Sequence, residues 1–278
     1  MVQNCLSIVI PCFRNDVGLE KTLESISRQN AFGRPMEIIV INDGASPDVS
    51  RVAKNYGCNS VELNPARGSY FARNQGLECA KGAIVLFLDD SMSLDAGWIA
   101  KALLEIAECD YLCGNVKISA VDFSKAAHVH QHYNGFNIPA LFQNHHAGGA
   151  GALMVRRQVF EHLGGFDQRL LSGGDMEFGN RVYASGLRQK FLFSPVIWHE
   201  VKDLKSLLRQ QLRIERGWNQ LTTFYPQRFL YRNPTSNIKT FSRAVGFIFP
   251  PSRSVFRQTY PELHKAKRVN LVLLLWTL

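Results

Sequence analysis

The sequence predicts an α/β fold: a mostly parallel sheet flanked by helices, followed by a basic, helical C-terminal appendage. Three observations carry that expectation. Four short apolar segments, at residues 6–10, 36–41, 60–63 and 83–88, alternate with stretches of helical character, which is the pattern of repeated β-α units. The links between them are short, so right-handed crossovers and parallel pairing follow. Residues 1–200 hold 18 Lys and Arg against 20 Asp and Glu, whereas residues 201–278 hold 14 against 3. The whole formal charge of +9 therefore belongs to the last segment. The expected division is a sheet-bearing domain over 1–200 and a basic amphipathic helical segment over 201–278.

A chain of 278 residues, 46% hydrophobic and 20% charged, is long enough to bury a sizeable core and has an ordinary globular composition. After the first apolar segment, Val17, Leu19, Leu23 and Ile26 approximate a helical stripe, with Asn15 or Asp16 available as its N-cap. Pro47 after Ser46 marks the next helix start, because proline fits the first helical turn. Residues 69–80 are helical in composition, and Gly82 ends them. A helix over about 95–108 leads to a strand at 111–118. Residues 120–147 are rich in His, Asn and Gln, and the small residues 148–152 precede a strand at 153–155. A loop so poor in side chains lets a backbone or a ligand come close.

The fourth apolar run ends abruptly in Asp89-Asp90-Ser91. An unbroken apolar run reads as a strand covered on both faces, so the acids sit at its carboxyl end, where open α/β sheets place their ligands. Paired acids there suit a divalent cation carrying a diphosphate; the plainer reading is a turn with a helix cap. A dinucleotide site needs glycines directly after the first strand. Here that turn is Pro11-Cys12-Phe13-Arg14-Asn15, with no glycine before Gly18, and no Gly-x-x-x-x-Gly-Lys-Ser/Thr occurs. A dinucleotide cofactor site is therefore not expected and a P-loop is excluded, leaving phosphate to metal and side chains.

A second acidic cluster follows, Gly164-Gly165-Phe166-Asp167 and then Ser172-Gly173-Gly174-Asp175-Met176-Glu177-Phe178. Asp175 opens a helical run over 175–184, where the helix dipole stabilises a carboxylate. An anionic carboxylate caps a helix, and it is also what a general base requires. The string from Gly173 to Phe178 differs from the GGDEF turn of diguanylate cyclases by one inserted residue, which changes the register of every later side chain. That reading is set aside. His199 ends a strand-like run over 191–198, where it is either structural or a third metal ligand opposite Asp90.

Taken in order, these motifs resemble the family 2 glycosyltransferases, over about residues 5–220. The pieces are Ser7-Ile8-Val9-Ile10-Pro11-Cys12-Phe13-Arg14-Asn15, Ile39-Val40-Ile41-Asn42-Asp43-Gly44-Ala45-Ser46 and Ala72-Arg73-Asn74-Gln75-Gly76, then Phe87-Leu88-Asp89-Asp90-Ser91, Gly164-Gly165-Phe166-Asp167, Gly174-Asp175-Met176-Glu177 and His199. The resemblance implies a GT-A, Rossmann-like catalytic domain over 1–200 and an inverting, nucleotide-sugar-dependent enzyme of envelope polysaccharide or glycolipid synthesis. It implies that the loop of Pro11 and Phe13, together with Asp43, contacts the nucleobase, that Arg67 or Arg73 lies near the base or phosphates, and that Asp89 faces the ribose. It implies a Mn²⁺ or Mg²⁺ ion on Asp90 and His199, since Ser91 stands where the family's Asp-x-Asp has its last acid. Many relatives read Glu-Asp where this chain has Gly174-Asp175. Asp175 is then the general base, and Glu177 the nearest replacement for orienting the acceptor.

Within the basic segment, a helix over 204–221 places Lys205, Arg209, Arg213 and Arg216 on one face and Leu207, Ile214, Trp218 and Leu221 on the other. Apolar blocks at 244–249 and 269–278 lie among further basic residues. Such a segment fits an anionic bilayer and therefore a lipid-linked saccharide acceptor; packing on the catalytic domain satisfies the same amphipathicity. No nucleic-acid module is recognisable, so nucleic acid is not an expected partner. Six cysteines without a Cys-x-x-Cys, no signal-like N-terminus and no apolar stretch of roughly 20 residues lead to the expectation of a cytoplasmic protein, peripheral on the membrane. The rival readings are a sugar nucleotidyltransferase, whose glycine-rich basic N-terminal loop is missing here, and an inactive sugar-nucleotide-binding protein.

Overall fold

The computed structural model describes residues 2–119 and 137–229, together with 121, 122, 128, 131, 132 and 135. The apolar blocks expected at 244–249 and 269–278 lie outside the described residues. Within them the elements run β1 (Val2–Cys12), α1 (Asp16–Ser27), β2 (Met36–Asp43), α2 (Pro47–Asn55), β3 (Asn59–Leu63), α3 (Ser69–Cys79), β4 (Gly82–Leu88), β5 (Met92–Leu94), α4 (Trp98–Ile106) and β6 (Tyr111–Ser119). They continue with α5 (Ile138–His145), β7 (Ala152–Arg156), α6 (Arg157–Leu163), α7 (Gly174–Ala184), β8 (Gln189–Glu200) and α8 (Leu204–Phe224).

The four expected strands pair as expected. β1 runs parallel to both β2 and β4, and β2 parallel to β3. In β1 and β4 the apolar residues are buried on both faces, as in Leu6, Ile8, Val9 and Ile10 of β1 and the whole of 85–88 in β4, which explains why these runs do not alternate. Asn15 caps α1, its side chain accepting from the Gly18 N–H at 3.2 Å. α4 begins three residues later than the sequence pattern implied, because the Asp95 carboxylate is used elsewhere: it accepts from the Trp198 indole at 2.6 Å and from the Val196 N–H at 3.1 Å, fixing β8.

Beyond β4 the sheet becomes mixed. The strand order is β3-β2-β1-β4-β7-β6-β8-β5. β7 runs antiparallel to β4 and β6, β8 parallel to β6, and the short β5, which the pattern did not announce, antiparallel to β8. These reversals position the site. Because Leu88 pairs with Ala152, the small-residue loop before β7 arrives where β4 ends in Asp89. Because Met92 pairs with His199, the end of β8 arrives beside Ser91. Behind this edge, Phe87, Phe160, Phe166 and Phe178 form an aromatic cluster, with Phe160 and Phe178 stacked at 4.9 Å. Packing of this kind is worth about 1 kcal/mol per pair beyond area burial.

Candidate active site

The carboxyl ends of β1, β2 and β4, the loop before β7, the start of α7 and the inner face of α8 enclose one cleft of about 1020 Å³. Pro11, Phe13, Asp43, Arg67, Arg73, Asp89, Asp90, Asp175 and His199 all border it. Of the residues singled out from sequence, the structure leaves only Glu177 outside.

At the β1–β2 end, Phe13 is exposed and its ring lies over Gly44, where an added Cβ would stand 3.0 Å from it. Asp43 is buried, and its carboxylate accepts from the backbone N–H groups of Arg67 at 2.6 Å and Gly68 at 2.9 Å. Its first task is thus to fix the loop entering α3. The Arg67 guanidinium stacks over Phe71 at 4.1 Å, presenting a flat cationic surface beside Phe13. Arg73, expected near base or phosphate, is buried and paired with Asp89. Its neighbour Asn74 clasps the 165–166 backbone, accepting from the Phe166 N–H at 2.9 Å and donating to its carbonyl at 2.8 Å. The Arg-Asn pair therefore ties α3 to both acidic motifs.

Burial pushes the Asp90 carboxyl up to about 6, with the charge of Asp89 acting in the same direction. His199 is buried, with Nδ1 2.6 Å from the Glu200 carbonyl and Nε2 3.2 Å from Ser91 Oγ. A carbonyl only accepts, so Nδ1 carries the proton and the Nε2 lone pair faces Ser91. Burial, then Lys202, lowers the pKa of this histidine, favouring the neutral ring. Among the described residues no group of three or more His, Cys, Asp and Glu is placed to hold a metal. A carboxylate and a neutral imidazole bordering one cleft nevertheless fit an ion of the Mg²⁺ or Mn²⁺ type, which takes few protein ligands and fills the rest with phosphate and water.

Asp175, which borders the same cleft, lies in the first turn of α7. Its Oδ1 accepts from the Tyr70 hydroxyl at 3.2 Å and from the Met176 N–H at 3.0 Å, and its Oδ2 from the Ala150 N–H at 3.2 Å. Residues 149–151 reach this position only because they are small: a Cβ on Gly151 would stand 2.5 Å from Asp89 Cγ. Glu177 is directed away from the cleft. It is almost fully buried and held by Arg181 at 2.8 Å and Arg228 at 2.9 Å, so the structure does not bring it to the cleft beside Asp175. On a helix, residues two apart point to different sides.

Sequence reasoning missed four contributors. Tyr70 and the Ala150 N–H hold the Asp175 carboxylate, and Lys202 and Arg213 border the same cleft as the acid pair. Tyr70 and Ala150 carry no local signal, since each meets Asp175 from 25 or more residues away. α8 is also part of the site rather than an appendage beside it. Gln210, Arg213, Ile214, Trp218 and Leu221 form a cleft wall. Its C-terminal end is fastened by Tyr225, which donates to Asp167 at 2.6 Å, and by the Arg228–Glu177 pair.

A Rossmann-like sheet with paired acids at a strand end, bordering one cleft together with a further carboxylate at a helix start, has the architecture of a GT-A glycosyltransferase. The Glycosyl transferase family 2 pattern matches residues 7–164, and the chain belongs to that family. It is 25% identical to the glycosyltransferase AglE of Haloferax volcanii over 285 aligned positions, covering 98% of this chain and 91% of that protein. A GalNAc(5)-diNAcBac-PP-undecaprenol beta-1,3-glucosyltransferase of Campylobacter jejuni is 33% identical over 109 residues, 37% of this chain and 35% of that enzyme. Among solved structures, the mannosyltransferase PcManGT of Pyrobaculum calidifontis, in complex with GDP-Man and Mn²⁺, superposes with a TM-score of 0.62 at 16% identity, covering 98% of this chain and 78% of that one. S. aureus TarS 1-349 in complex with UDP gives 0.55 at 17% identity, covering 91% and 77%. At such identities the structural likeness speaks for the fold alone.

Proposed function

We propose that the chain is an inverting glycosyltransferase that moves a sugar from a nucleoside-diphosphate sugar to an acceptor hydroxyl. The observation that carries this is the position of Asp175, which borders the same cleft as Asp89 and Asp90. Oδ1 already accepts two hydrogen bonds and Oδ2 only one, so Oδ2 has the spare lone pair to take a proton. The acceptor O–H gives that proton to Oδ2, its oxygen forms the new bond to the anomeric carbon, and the bond from that carbon to the diphosphate oxygen breaks with its electron pair. Attack from the base's side and departure on the other invert the configuration.

Phe13, Arg67 and the loop fixed by Asp43 receive the nucleoside, and Asp89, held by Arg73, faces the ribose. Because Arg73 is already paired, Lys202 and Arg213 are the cations placed to offset the charge that develops on the leaving diphosphate. A divalent ion held by Asp90 and His199 supplies further charge neutralisation when bound; the PcManGT complex, with Mn²⁺ beside GDP-Man, supports that role.

The acceptor side is apolar, with Ile138, Leu141, Leu170, Ile214 and Trp218 along it. Outside the cleft, Leu204, Leu208 and Leu212 of α8 are 49%, 45% and 62% exposed, one turn apart and interleaved with Lys205 and Arg209. Among the described residues no helix is long and apolar enough to cross a membrane. This favours a lipid-linked saccharide acceptor, presented at an anionic membrane surface on the cytoplasmic side, in envelope polysaccharide or glycolipid synthesis. The undecaprenol-linked substrate in the name of the Campylobacter relative supports the same class.

The test is nucleoside diphosphate release from a panel of nucleotide sugars with Mn²⁺, Mg²⁺ or EDTA. One donor is expected to be turned over. Asp175→Asn should lower the rate about 1000-fold with donor binding unchanged, and Asp90→Ala should remove metal dependence. Full activity of Asp175→Asn would sink the base assignment.

A further inference from the structure

We propose that Tyr70 is a positioning residue for the general base, seated in a recess that Gly174 leaves open, and that helix α3 thereby sets the distance between the base and the donor site. This deepens the reading above, since it rests on Asp175 as base. Tyr70 lies in the first turn of α3 and is only 7% exposed. Its ring stacks on Phe166 at 5.8 Å, and its hydroxyl donates to Asp175 Oδ1 at 3.2 Å. A Cβ at position 174 would stand 2.8 Å from both Cε2 and Cζ of the ring, closer than real Cβ contacts come. A residue with any side chain before Asp175 is therefore incompatible with the ring where it sits. Glycine at 174 and tyrosine at 70 form one unit.

Arg73 follows one turn later on the same helix and holds Asp89. Residues three apart share a helix face, so one rigid element grips the donor-side acid and the base together. Burial raises the pKa of the Tyr70 phenol, which therefore keeps its proton through the working range. Towards a carboxylate it acts only as donor, and its hydrogen bond favours the charged form that a base needs. The other titratable groups around Asp175 are Arg73 on α3 and Tyr111 and Cys113 on β6, with Arg213, Asp89 and Asp90 bordering the same cleft. Burial raises the pKa of Tyr111 and of Cys113, so both stay neutral.

The experiment compares full-length wild type, Tyr70→Phe, Gly174→Ala and Asp175→Asn, measuring kcat, both KM values, the pH dependence of kcat and the melting temperature. Tyr70→Phe keeps the ring and its stack and removes only the hydroxyl. It is expected to lower kcat about tenfold, the effect of one hydrogen bond to a charged group, with both KM values within about twofold and the acid limb of the kcat profile displaced to higher pH. Gly174→Ala, which displaces the ring, is expected to reproduce that displacement. Tyr70→Phe with wild-type kcat and limb, or with a loss that follows melting temperature alone, overturns the proposal while Asp175→Asn is inactive. An active Asp175→Asn overturns the base assignment instead, so the two failures are distinguishable.

Discussion

The two walls of the cleft are built differently. The donor wall is made of strand ends contiguous with the motifs that form them, and its charged groups hold one another: Asp43 fixes the Arg67–Gly68 backbone, and Arg73 is paired with Asp89. The proposed acceptor wall is assembled from α3, the loop before β7, α7 and α8, and Asp175, its proposed base, is held by three donors from three places in the chain. A self-locked wall is preorganised before ligand arrives and asks little reorganisation of the enzyme. An assembled wall depends on how the elements dock. Specificity for the acceptor is therefore expected to respond to changes in tertiary packing that leave donor binding intact.

The sharpest way to break this comparison is at Glu177, which is buried between Arg181 and Arg228 and joins α7 to the end of α8. Glu177→Gln is expected to cost about 3 kcal/mol of stability, because it leaves two cations without their shared partner, and to raise the acceptor KM while donor affinity stays within about twofold. Chemical denaturation and separate titrations check this; a lost kcat at unchanged stability would restore Glu177 as an acceptor-orienting group.

On the opposite wall, Asp43→Ala removes two hydrogen bonds from backbone to carboxylate. Donor affinity is expected to fall about tenfold, with the acceptor KM unaltered. Calorimetric donor binding reads it directly, and an acceptor defect without a donor defect would mean that the walls are coupled. The smallest effect belongs to the outer face of α8. Replacing Leu208 and Leu212 with Ser is expected to weaken flotation on anionic vesicles about fivefold, a fraction of the apolar burial such a face provides, with transfer to a soluble acceptor unaffected. Equal flotation of both proteins, or flotation on neutral vesicles alone, would remove the membrane reading.

The donor wall was legible in the sequence because its information is local. A buried strand shows itself as an apolar run, its end as the first charged residues, and the acids at the ends of β2 and β4 border the cleft by that geometry. Asn15 as a cap, Pro47 as a helix start and Asp175 in a first turn follow from rules a few residues long. Glu177 shows the converse: two residues from Asp175 in sequence, it is turned by the helix towards Arg181 and out of the cleft.

By itself, then, the sequence determined the alternating α/β frame, the acids at its strand ends and the charge asymmetry of the C-terminal segment, because backbone periodicity and burial act over short distances. The tertiary structure alone decided that β7 turns back against β4 to bring the Ala150 N–H to Asp175, that Gly174 admits the ring of Tyr70, and that α8 forms a wall of the cleft. Those contacts join residues 25 to 105 positions apart, and only close packing of already formed elements selects them.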